Sequence, residues 1–79
     1  MNEACVVGLQ AREGQETRAA EILDSFEVDS APGQTLWMVV GPTGDFNESR
    51  QIIMARLDEL ARDWQDALIV LDLPPEDSG

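Results

Sequence analysis

No histidine, no lysine and no tyrosine occur in this chain of 79 residues, and cysteine occurs once. Each absence removes a chemistry. Without histidine, the usual acid and base of neutral pH and the commonest metal ligand are missing. Without lysine, there is no Schiff base and no phosphate-gripping lysine of the P-loop kind. One cysteine, Cys5, allows no internal disulfide and fits a reducing compartment. The N-terminus MNEACVVGLQ has no basic region, and its apolar run is too short for a signal peptide or a membrane span. These features lead us to expect a cytoplasmic protein with no membrane partner.

Positive charge is also scarce. Five arginines stand against sixteen Asp and Glu, for a formal net charge of -11. Nucleic acid and anionic lipid both require positive neutralisation, so direct binding to either is not expected. The chain is nonetheless 43% hydrophobic, with Leu, Ile and Val in blocks, and is built to fold rather than to remain an acidic tail. Its length predicts one α/β domain over residues 1–73 and a polar, proline-led tail over 74–79.

Five segments carry the pattern. Residues 4–9 are a short Val-rich run with the length and β-branching of a strand. Residues 15–26 have helical spacing, with Ala19, Leu23 and Phe26 on one stripe. Residues 35–41 form a second strand. Residues 46–64 form a long helix, with Phe46, Ile53, Leu57, Leu60 and Trp64 recurring at three and four residues. Residues 67–73 form a third strand. The long helix has a marked start, with Asp45 as N-cap and Glu48 three residues later, as in a capping box. Asp58 and Arg62 are spaced as an i,i+4 ion pair.

Segment 27–34 decides the topology. Pro32-Gly33 signals a turn running straight into the second strand. With a short strand over 27–29, the order is βαββαβ, an α+β two-layer sandwich of the ferredoxin-like kind. The alternative, with 27–29 as loop, is a βαβαβ unit with a parallel three-stranded sheet.

Candidate sites are few. The loop Gly41 to Asp45 follows a strand and opens a helix, a place where backbone N–H groups hold phosphates. It lacks P-loop spacing, and Asp45 and Glu48 compete for the same helix end, which favours a plain turn and cap. Asp72 and Asp45 could approach each other in the parallel topology and offer oxygen to a hard cation, but no ligand spacing supports this. Cys5 has no base in the chain to activate it and alternates with Val7 and Leu9, as a buried thiol would. No catalytic, metal or cofactor residue is assigned, and no enzyme activity is expected.

The strands are apolar on both faces. In a split βαβ unit both helices lie on one face and leave the other bare, and a bare apolar face marks an interface. The alternation separates Trp37 and Val39 from Leu36, Met38 and Val40. Trp37, Val39 and Val6 are expected at that interface, with Trp37 as aromatic anchor. The leading reading is a non-enzymatic protein that binds another protein of unknown identity, as a homodimer. A second reading is an acidic inhibitor that mimics nucleic acid on a basic surface. A third is a regulatory or enzymatic dimer that binds a small ligand between helices and sheet.

Overall fold

The computed structural model describes residues 5–74. In chain order the elements are β1 (Val6–Ala11), α1 (Glu16–Ser25), β2 (Leu36–Val40), α2 (Phe46–Leu60), α3 (Trp64–Ala67) and β3 (Leu68–Val70). They form a small α+β domain with a three-stranded antiparallel sheet and three helices. The strand order is β2-β1-β3, with β1 antiparallel to both neighbours. Of the first expected strand, Ala4 lies outside the described residues, as does the tail from residue 75.

The short strand expected over 27–29 does not form, so the ferredoxin-like βαββαβ order is not seen. The parallel βαβαβ alternative is overturned by the antiparallel pairing. The physical reason lies at the end of α1. Glu27 adopts a left-handed φ of 66°, and its N–H reaches Asp24 O at 3.0 Å while Val28 N–H reaches Leu23 O at 2.9 Å. This is a Schellman closure with a residue other than glycine at the left-handed position. It uses the backbone groups that a strand would need. The turn at Pro32-Gly33 does form, with Gln34 N–H bonded to Ala31 O at 3.0 Å and Gly33 at φ 78°.

The long helix is shorter than its apolar stripe. Asp45 caps α2 as expected, its carboxylate accepting from Glu48 N–H at 2.9 Å. The return bond of a capping box is replaced by Thr43, whose hydroxyl accepts from Asp45 N–H at 3.1 Å. At the other end Ala61 is extended, and the chain re-enters helix at Trp64. The break removes Arg62 from the helical face, so the Asp58–Arg62 pair is absent. Asp58 accepts instead from the indole N–H of Trp64. Arg18 on α1 donates to both oxygens of Asp63, at 2.8 and 3.3 Å, and fastens the break to the neighbouring helix.

The core joins one face of the sheet to all three helices. Val7, Leu9 and Ala11 of β1, Trp37 of β2, and Leu68 and Val70 of β3 are buried. They cluster with Ala19, Ile22 and Leu23 of α1, Ile53 and Leu57 of α2, and Trp64 and Ala67 of α3. No helix among the described residues is long and apolar enough to cross a membrane.

Candidate functional site

Antiparallel register fixes which residues share a face. Val6 stands opposite Val40, Gly8 opposite Met38 and Gln10 opposite Leu36. Even-numbered residues of β1 and β2 therefore lie on one face and odd-numbered residues on the other. The odd face holds the core. The even face is open: Leu36, Met38 and Val40 are 42%, 54% and 67% exposed. On the β3 side the same face continues through Ile69, paired with Gln10, and Leu71, whose N–H bonds Gly8 O at 3.0 Å. The Leu71 side chain lies over Gly8, where an added Cβ would come within 2.8 Å of its Cδ1. A glycine at this point lets the face stay level from β3 to β2.

This register corrects the expected interface. Trp37 is 1% exposed, lies on the core face, and its indole N–H donates to Ser30 Oγ at 3.0 Å. Val39 is half-buried against the same core. Only Val6 of the three lies on the open face, beside Val40 rather than beside Trp37. The alternation identified the two sets within β2 but not which of them the helices would cover. The deciding signal is the pairing of Trp37 with Leu9, which follows from antiparallel register.

The open face carries no charge. Val6, Gly8 and Gln10 of β1, Leu36, Met38 and Val40 of β2, and Ile69 and Leu71 beside them are all uncharged. This stands out in a chain with twenty-one charged residues, sixteen of them acidic. Acidic side chains gather elsewhere. Glu16, Glu21, Asp24 and Asp29 line a shallow groove of about 800 Å3 between α1 and the turn at Pro32-Gly33.

The other sequence candidates serve local structure. In the loop from Gly41 to Asp45, Thr43 N–H bonds Ser49 Oγ at 3.0 Å, and the Ser49 hydroxyl donates to Thr43 O at 2.9 Å. Together with the Thr43 and Asp45 bonds above, these engage the N–H groups of Thr43, Asp45 and Glu48 within the loop and cap. Ser49 is fully buried, a role its polar character concealed in the sequence. An added Cβ at Gly41 would lie 2.5 Å from Ser49, so glycine is needed for this close approach. The half-buried thiol of Cys5 donates to Thr43 O at 3.1 Å. Asp45 and Asp72 are both exposed, and no group of three metal-ligating side chains comes together among the described residues.

One ion pair perturbs its members. The Asp63 carboxyl is held below its ordinary range, chiefly by the hydrogen bond from Arg18, and Arg18 is raised by the same bond. The pair is exposed and ties α1 to the break before α3; it faces no cavity of the core. No family model matches the chain, and no curated protein or solved structure matches it.

Proposed function

We propose that the chain is a non-enzymatic protein-binding module that acts as a homodimer, with the open face of its sheet as the contact between copies. The observation that carries this reading is the exposed apolar row Leu36, Met38 and Val40 on the sheet face opposite the buried core residues Val7, Leu9 and Trp37. Contiguous exposed apolar surface of this kind marks an interface. A second copy suits it because the face is uncharged. Two acidic protomers meet there without opposing like charges, while their remaining charges are screened beyond about 8 Å at physiological salt. Two-fold closure buries the same patch on both copies. The test is light scattering over a concentration series for the wild type and Met38→Glu. A dimer that becomes a folded monomer on substitution supports the reading; a wild type monomeric at tens of micromolar refutes it.

The acidic groove between α1 and the Pro32-Gly33 turn supports a second reading, as an acidic mimic that occupies a basic protein surface. Four carboxylates line the groove, and neither arginine nor lysine does. Affinity lost steeply with added salt would mark that role; affinity insensitive to salt would mark the apolar face instead.

A further inference from the structure

The two edges of the sheet are treated differently. Along β1, the backbone groups of odd-numbered residues bond β2 and those of even-numbered residues bond β3. This follows from Ala11 N–H on Thr35 O and Gly41 N–H on Cys5 O to one side, and Leu71 N–H on Gly8 O to the other. The groups of β3 that point outward are therefore those of Leu68 and Val70, and protein atoms hold half of them. Leu68 N–H bonds Trp64 O. Arg50 of α2 donates to Val70 O at 3.2 Å and to Leu71 O at 2.9 Å. On β2 the outward groups are those of Leu36, Met38 and Val40. Only Leu36 O has a partner among the described residues, the side-chain amide of Gln34 at 2.9 Å. Met38 and Val40 present N–H and C=O with none.

Nothing on β2 blunts that edge. The strand LWMVV has no charge and no proline, the devices by which natural edges avoid pairing. Beside it lies an apolar groove of about 320 Å3 between β2 and α2. Phe26, Val39, Val40, Ile52 and Ile53 line it, with Pro42 at one end. The one charged side chain in the lining is Arg56, which makes no ion pair among the described residues.

We propose that the β2 edge and this groove receive an extended segment of another protein, added to the sheet as a fourth strand. Backbone bonds to Met38 and Val40 hold the segment. Its alternate side chains, which are apolar, enter the groove between β2 and α2, and one carboxylate sits at Arg56. The segment matches β2 in length, five residues. This is strand addition, in which the main chain gives affinity and the pockets give specificity. A second copy of β2 is the poorer occupant. LWMVV has no acid for Arg56, and two-fold pairing would bring two unpaired arginines to the same side of the joined sheet. The groove shares Val40 with the open face, but the segment is held by the outward backbone groups of Met38 and Val40, which lie in the plane of the sheet. A dimer formed through the side chains of that face therefore leaves both β2 edges available.

The test begins with selection from a display library of random peptides of about eight residues, enough to span the strand. The expected binders alternate apolar residues, carry one Asp or Glu, and shift the amide resonances of Met38 and Val40. Methylating the peptide nitrogens that face β2 removes at least one backbone bond and is expected to weaken binding about fivefold or more. Met38→Pro does the same from the protein side. Its N–H points away from β1, so the fold should persist, and the peptide experiment stands if it does not. Arg56→Ala should lose the preference for an acidic over an amidated peptide. Binders that shift Gln10 and Ile69 instead, indifference to peptide N-methylation, or no binder above background would each overturn the proposal. So would Met38 and Val40 amides already protected by self-pairing in the peptide-free protein.

Discussion

Trp37 shows how one residue's role turns on register. On an open face it would anchor an interface; opposite Leu9 it fills the core and keeps its indole N–H bonded to Ser30. Trp37→Ala is therefore expected to destabilise the fold by about 3–5 kcal/mol rather than to separate a dimer. Leu23→Ala and Leu57→Ala, both fully buried, should each cost about 2–5 kcal/mol. Equilibrium urea unfolding checks all three, and a variant whose unfolding free energy matches wild type would place that side chain outside the core. The Arg18–Asp63 pair gives a pH-dependent counterpart. Because the folded Asp63 carboxyl titrates below its unfolded value, its contribution is present above the unfolded value. It fades as pH falls through the folded one. Wild type should thus melt above Asp63→Asn near neutral pH, and the gap should close in acid. A gap that widens in acid would reverse the assignment.

At the scale of elements, much was legible and the misreadings have identifiable causes. The apolar runs located all three strands. Helical spacing located α1 and α2, and Asp45 with Glu48 marked the start of α2. The break at Ala61 was hidden because no proline or glycine announces it. It arises from tertiary contacts, the Trp64 indole on Asp58 and Arg18 on Asp63, which periodicity does not contain. The strand expected over 27–29 was lost to a Schellman closure at Glu27, a position where sequence rules look for glycine. Of the expected interface, the bare face was inferred from a split βαβ order that does not form, and of its three residues Val6 alone lies on the face that is open. Choosing between the two sets on β2 required the β1–β2 register, which a single sequence does not supply. Arg50 was also missed, since an arginine on a helix gives no sign that its target is a strand edge. Replacing it by methionine keeps the aliphatic stem and removes the bonds to Val70 O and Leu71 O. The expected loss is about 1.5–3 kcal/mol, the range for bonds to a charged donor, with faster amide exchange in β3. Unchanged stability and unchanged exchange would mean that the edge needs no clasp.

At the scale of the molecule, charge and apolar surface are segregated. The sheet face lined by Met38 is uncharged, while Glu16, Glu21, Asp24 and Asp29 gather at the groove beside α1. Five arginines dispersed among sixteen acids make no cationic strip, so no binding to duplex or single-stranded nucleic acid is expected at physiological salt. Fluorescence anisotropy with labelled oligonucleotides checks this, and micromolar affinity would contradict it. The central claim is that two copies meet through the open face. Its most direct test is an isotope-filtered NOE experiment on a mixture of labelled and unlabelled chains, which reports only contacts between copies. Contacts between copies among the methyl groups of Met38, Val40, Ile69 and Leu71 are the expected result. Contacts arising instead from the outer surfaces of α1 and α2, or no contact between copies at all, would contradict it.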